Sequence, residues 1–280
     1  MVTKAVHIEL AVDLSTHSFL NSLRRFIARR GKCQSIYSDN GTNFIGARNE
    51  LRELGILLSS HDHKDRLGEF LARERIEWHL IPPREPHFGG LWRTRCPLGK
   101  GSPKRVVGDQ KLTYEEMYTV LAQIEACLNS RPLHPLSTDP SDLNPLTPGH
   151  FLVGQALTAF PEADLTNVRQ NRLSRFQLIQ QMVQHFWKRW QREYLHGLQQ
   201  RPKWKVGSPD VPKVGAMVLV KEDNLPPMNW ALGRILELHP GKDGITRVVV
   251  LRTVNGIYKR PVTKICLLPN AHGHSNPETF

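Results

Sequence analysis

"SIYSDNGTNFIGARNELRELGI", residues 35–56, changes periodicity within a few residues. Ser35 to Ser38 read as a short strand, Asp39-Asn40-Gly41 as a turn, and Phe44 onward as a helix, because Asx-Gly is a favoured turn pair. A strand that runs through a turn into a helix is the repeating unit of an α/β fold. Upstream, "AVHIELAV" sets Val6, Ile8, Leu10 and Val12 against His7, Glu9 and Ala11, the alternation of a half-buried strand. "DLSTHSFLNSLRRFIARRGK" then predicts a helix with Phe19, Leu20, Leu23, Phe26 and Ile27 on one stripe, capped by Ser15 and ended by Gly31. Downstream, "DRLGEFLARERIEWHLIPP" predicts a helical stretch and a strand from Ile76 to Ile81.

"LTYEEMYTVLAQIEACLNSRPL" is the clearest helix in the chain. Thr113 and Glu116 form a capping box, and Met117, Val120, Leu121, Ile124 and Leu128 share one face. Cys127 falls on that face as a small buried side chain. A proline-rich connector follows, from about Arg131 to Pro161.

Composition narrows the function. The chain has 280 residues, a net charge of +12 and a pI near 9.8, which favours a polyanionic partner, nucleic acid above all. Its four cysteines stand apart, with no Cys-x-x-Cys pair, so neither a disulfide framework nor a zinc finger is expected. No run reaches the roughly 18 to 20 apolar residues of a membrane span.

Much of the excess charge sits in one place. Between Leu165 and Lys205 stand Arg169, Arg172, Arg175, Lys188, Arg189, Arg192, Arg201, Lys203 and Lys205 against Glu193 alone. Phe176, Ile179, Val183, Phe186, Trp187, Trp190 and Tyr194 make an apolar stripe on the same stretch, expected to be core rather than a base-stacking platform. The cations are the candidates for phosphate contact, since Lys and Arg that displace counterions dominate sequence-independent DNA affinity. From Val214 onward, five short strands in sequence suggest a small SH3-like barrel, with a hairpin at Asn255-Gly256.

Four pieces in order carry a family resemblance: "SDNGTNF", "IEWHLIPPREPHFGGLW", "LTYEEMYTVLAQIEACLNSRPL" with "LTPGHFLVG", and the tail from "NRLSRFQ" to "CLLP". Over nearly its whole length the chain resembles the integrase region of BEL/Pao-type retrotransposon polyproteins. The resemblance implies an RNase H-like core in which two aspartates and a glutamate hold two magnesium ions for in-line phosphoryl displacement on DNA. It also implies multimers and nuclear residence.

Asp39 matches the second aspartate of that set. The first has no counterpart, since the sequence begins at the segment matching the family's third strand. The glutamate should follow Trp92, and Arg93 stands there instead. A guanidinium cannot ligate magnesium. From Pro97 to Pro103, prolines and glycines replace a helix, and the family pattern resumes at Lys104 without change of length, as a compensated pair of frameshifts would leave it.

The expected architecture is therefore an RNase H-like fragment (1–135) lacking its first strands, a connector (136–164), a basic helical segment (165–200), a linker (201–213), a barrel (214–270) and a tail (271–280). The expected function is integrase-derived DNA binding without catalysis. The alternative is a chromatin or protein adaptor that works through the barrel.

Overall fold

The computed structural model describes residues 3–60, 76–80, 107–108, 110–199 and 212–269. It is a mixed α/β structure that divides into two compact units, His7–Ser102 and Met1–Val6 with Pro103–Phe280.

In the first unit, helix α1 (Thr16–Arg30) begins where Ser15 Oγ accepts the Ser18 N–H at 3.2 Å. It ends at Gly31, whose φ of 83° suits a residue without a side chain. Strand β1 (Ser35–Ser38) leads into helix α2 (Thr42–Ser60), and β1 pairs in parallel with β2 (Glu77–Leu80). Parallel strands in sequence need a long crossover, which accounts for the helix between them. The inward residues lock the layers together: Phe19 meets Phe44 edge-on at 4.9 Å and Trp78 at 5.6 Å, and Trp78 Nε1 donates to Ser38 Oγ at 2.8 Å.

One expectation fails here. Residues 5–12 form no strand. The alternation is lost: Val6 to Leu10 are all half-buried, Val12 is 87% exposed, and the Glu9 carboxylate is held by Arg25 Nε at 2.6 Å, Arg29 Nη1 at 2.9 Å and His7 Nε2 at 3.0 Å. Burial pushes the Glu9 pKa up, but hydrogen bonds from Arg25 and His7 and the nearby arginine charges outweigh it and leave it below the usual range. The Leu10 carbonyl accepts from Arg25 Nη2 at 3.2 Å, a side chain where a sheet would supply a neighbouring strand.

In the second unit, α3 (Tyr114–Asn129) carries the expected capping box, Glu116 N–H to Thr113 Oγ1 at 3.2 Å and Thr113 N–H to Glu116 Oε2 at 2.8 Å. Val120, Ile124, Cys127 and Leu128 are its buried face, and burial pushes the Cys127 thiol up to about 12. At its end Asn129, fully buried, grips both backbone groups of Val6, accepting the N–H at 2.8 Å and donating to the carbonyl at 2.7 Å. The connector is more structured than its prolines suggested. It contains an antiparallel pair, β3 (His134–Pro135) with β4 (Pro145–Leu146), and the short helix α4 (Pro148–Val153).

Helix α5 (Arg175–Leu198) opens on a second capping box, Ser174 with Gln177. It is followed by one antiparallel sheet of β5 (Met217–Val220), β6 (Leu232–Pro240), β7 (Thr246–Thr253), β8 (Gly256–Pro261) and β9 (Ile265–Leu267), in the order β8-β7-β6-β5-β9. The expected barrel appears as this five-stranded sheet, whose edge strands β8 and β9 are not paired, so it is not closed. A bulge between Ile235 and Glu237 interrupts the β6–β7 register, the usual device for bending a sheet.

All four residues of β5 are buried because both its faces are covered. Val218 and Val220 join Ile235, Val249, Leu251 and Ile265 on one side. Met217 and Leu219 join Cys266, Leu268 and Leu195 of α5 on the other. The uninterrupted "MVLV" is the sequence trace of that double burial.

Two local expectations need correction. The hairpin tip is Val254-Asn255 rather than Asn255-Gly256. Thr253 pairs with Gly256, and Gly256 alone takes a positive φ, 125°. Phe176 is 70% exposed and lies off the core stripe; Leu178 and Met182 take the places near the helix start. A single-residue error in phase is enough for this near an end, where the stripe is defined by few turns.

Candidate nucleic-acid interface

The aromatic stripe of α5 is consumed inside the second unit. Trp187 is buried, with its ring 4.9 Å from Trp230 and 5.8 Å from Trp190. Its Nε1 donates to the Leu225 carbonyl at 3.0 Å. Trp230 Nε1 donates to Ser130 Oγ at 3.2 Å, and Tyr194 Oη donates to the Pro132 carbonyl at 2.5 Å. Burial pushes the Tyr194 hydroxyl up to about 12. The Trp187 and Trp230 indoles and the Tyr194 hydroxyl thus each have a partner at a different segment, so the rings fasten α5 to the segments around them and are not a stacking platform.

A second set of side chains on α5 holds an extended strap. Gln181 Nε2 donates to the carbonyls of Leu165 and Val168, both at 2.7 Å. Gln184 accepts the Leu165 N–H and donates to the Ala163 carbonyl, each at 2.9 Å. The glutamines serve the strap's backbone as a neighbouring strand would.

With these faces occupied, the cations are left at the surface, but they are not equivalent. Arg175 is engaged: its Nε and Nη2 meet both oxygens of Glu116 at 2.9 and 2.5 Å, and Nη2 also reaches the Lys111 carbonyl. This fork-on-fork pair, with the Thr113 N–H, brings the Glu116 carboxyl down to about 2. Arg175 therefore ties α5 to α3.

Lys188, Arg189 and Arg192 lie about one turn apart on an outer edge of α5, the first two part-exposed and Arg192 exposed. Arg189 meets Glu193 only at 4.0 Å, and Arg192 meets Asp223 at 3.7 Å, both pairs being well exposed. Such pairs contribute little and open readily to a competing anion. Arg169 caps and Arg172 ends the exposed 3-10 turn at Gln170–Arg172 that precedes α5. Lys203 and Lys205 lie outside the described residues, as does Arg201.

Asp39 follows β1 directly, and its Oδ1 accepts the Gly41 N–H at 3.1 Å, closing the turn that starts α2. Arg93 lies outside the described residues. Among the described residues no three His, Cys, Asp or Glu side chains come together as metal ligands. Asp39 is thus the one carboxylate of the implied magnesium set that can be placed, and no chemical step is assigned to it.

Around the outer edge of α5 the fold adds residues that the sequence reading did not single out. Lys221 follows β5, and Lys264 ends the 3-10 turn before β9; the Lys221 N–H donates to the Lys264 carbonyl at 2.8 Å. Both lysines line a cleft beside Lys188 and Arg192. No sequence pattern links positions 188, 221 and 264; only the packing of α5 on β5 and β9 does.

Residues 174–268 match a model of a family of unknown function, DUF5641. The match opens on Ser174, the cap of α5, and closes on Leu268, just past β9. It therefore covers the helix and the sheet that share the Leu195–Met217–Leu219–Cys266–Leu268 core, and no more. No curated protein matches the chain.

Proposed function

We propose that this chain is a retrotransposon integrase-derived protein that binds nucleic acid, DNA first, through the outer edge of α5, and does not cut it. The observation that carries this reading is the division of labour on α5. Trp187 and Trp190 are buried and the Tyr194 hydroxyl is bonded, while Lys188 and Arg189 stay part-exposed and Arg192 exposed, the two arginines with only loose counter-ions. Long cationic side chains on a rigid helix suit phosphate contact, which sets sequence-independent affinity.

The integrase ancestry is supported by the ordered motifs, with the strand–turn–helix at Asp39 in the expected place. Lack of catalysis is supported by Arg93 at the glutamate position, since a guanidinium cannot ligate magnesium. Nuclear residence and multimers holding two DNA ends remain part of the proposal through the resemblance alone.

The sheet's strand order, its bulge and the 3-10 turn Val262–Lys264 between β8 and β9 support an SH3-like small barrel as its finer description. That architecture and the exposed Ile257 and Tyr258 on edge strand β8 favour the second reading, a protein-binding adaptor. Lys259, Arg260 and Pro261 in the same strand discourage a further strand from pairing there.

Duplex DNA affinity of the chain and of a Lys188→Gln/Arg189→Gln/Arg192→Gln variant separates the readings. The nucleic-acid reading expects the variant to bind roughly tenfold or more weakly at low salt. Equal binding by both proteins, or none by either, would leave the adaptor.

A further inference from the structure

The extended strap from Phe160 to Val168 carries Glu162 and Asp164 and no lysine or arginine, so an acidic stretch lies directly before the basic one. It is fixed to α5 through its backbone. Gln184 holds the residues on both sides of Asp164, accepting the Leu165 N–H and donating to the Ala163 carbonyl, each at 2.9 Å. Gln181 donates to the carbonyls of Leu165 and Val168, and His185 Nε2 donates to the Thr166 carbonyl at 3.0 Å. From Val168 back to Ala163 the anchors advance from Gln181 to Gln184, so the strap runs antiparallel to the helix.

The helix repeat then places the acid. Gln181, Gln184, Lys188 and Arg192 follow one another at spacings of three or four residues and share one stripe of α5. A residue clamped at Gln184 is one turn, about 6 Å along the axis, from Lys188. Asp164 is exposed, and its Oδ1 accepts the Thr166 N–H at 2.9 Å and the Thr166 hydroxyl at 2.7 Å. Those bonds hold the carboxyl below its usual range, with smaller contributions from the charges of Lys188 and His185.

We infer that the strap is an electrostatic brake on the nucleic-acid interface: Asp164 stands in the field of Lys188 and lowers the affinity of α5 for phosphate. The inference rests on the nucleic-acid reading and adds a regulation to the same site. A phosphate approaching Lys188 meets a cation already partly neutralised and a carboxylate that repels it. This acid differs from the others near the edge. Glu193 and Asp223 are exposed side chains in loose pairs, free to swing aside for an incoming anion. Asp164 stays in place, because its own oxygen and the backbone on both sides are bonded. Neutralising it, or lifting the strap from Gln181 and Gln184, releases the brake.

The test measures duplex DNA affinity of the full chain at about 20 mM salt, where the screening length exceeds one helical turn. Asp164→Asn keeps an acceptor for Thr166 and should bind about threefold more tightly, a gain that misfolding would not produce. Glu115→Gln removes the same charge from α3, next to the Glu116 that meets Arg175 about 20 Å along α5 from Lys188, and should bind as the intact chain does. In a Lys188→Gln background Asp164→Asn should change nothing, because the cation it shields is gone. No gain in Asp164→Asn, an equal gain in Glu115→Gln, or the same gain without Lys188 overturns the inference. Duplex binding by none of these proteins would sink the interface on α5 itself, and the brake with it.

Discussion

Trp187→Ala is expected to cost about 3–5 kcal/mol, the range for removing a buried aromatic ring from a packed core. The side chain is among the largest fully buried ones, and its neighbours Trp190 and Trp230 cannot both move into the space. The substitution also strips the Leu225 carbonyl of its donor. Each kcal/mol lowers Tm by roughly 2–4 °C in a unit of this size, so a drop of roughly 10 °C in a far-ultraviolet circular dichroism melt is the outcome to look for. Trp187→Phe, which keeps a ring and loses only the indole donor, should fall by less than half as much. A melt unchanged in Trp187→Ala would mean that the ring cluster does not hold α5 to the sheet.

Arg234→Met is expected to cost about 3 kcal/mol for a different reason. Arg234 lies on β6 with 3% of its surface exposed, and its guanidinium ends in carbonyl oxygens: Nε to Asp142 at 2.9 Å, Nη1 to Gly215 at 3.0 Å and Nη2 to Ser137 at 2.7 Å. Methionine fills the volume but leaves three acceptors facing it. Two of them belong to the 137–142 turn, which is also organised by Asp139. The Ser141 N–H and hydroxyl hold that carboxyl below its usual range, with smaller help from the charges of Arg234 and Arg252. Hydrogen exchange should therefore quicken in residues 137–144, beyond the global loss read from the urea midpoint. Arg234→Lys, with one flexible ammonium in place of a planar fork, should recover only part of the stability. If exchange in the turn is unaltered in Arg234→Met, the guanidinium does not anchor it.

These two residues mark the limits of sequence reading. Trp187 was legible, because helix periodicity is local and seven aromatic or aliphatic side chains repeat it over five turns. The caps at Ser15 and Thr113 were legible for the same reason, as each is a contact over three residues. Arg234 was not: in "LGRILEL" it reads as one more exposed strand residue, and its burial depends on a turn about a hundred residues earlier. Asn129 is similar, an ordinary helix-end residue until Val6 is laid against it.

Residues 5–12 failed in the opposite direction. Alternation is a local signal, but a strand exists only by pairing, and here Arg25 and Arg29 hold Glu9 as half-buried as its apolar neighbours. At the candidate interface the cations on α5 were legible as a charge run. Which of them is committed elsewhere was not, since the Arg175–Glu116 pair joins positions far apart in sequence. Lys221 and Lys264 became candidates only through the packing of α5 on the sheet.

The central claim, that exposed cations on α5 bind nucleic acid through its phosphates, is tested most directly by the salt dependence of duplex affinity. For the intact chain the logarithm of the association constant should fall steeply and linearly with the logarithm of salt concentration. In the Lys188→Gln/Arg189→Gln/Arg192→Gln variant the slope should be shallower by about 2.7, three phosphates at roughly 0.9 each. A slope near zero for the intact chain, or the same slope in both proteins, would contradict it.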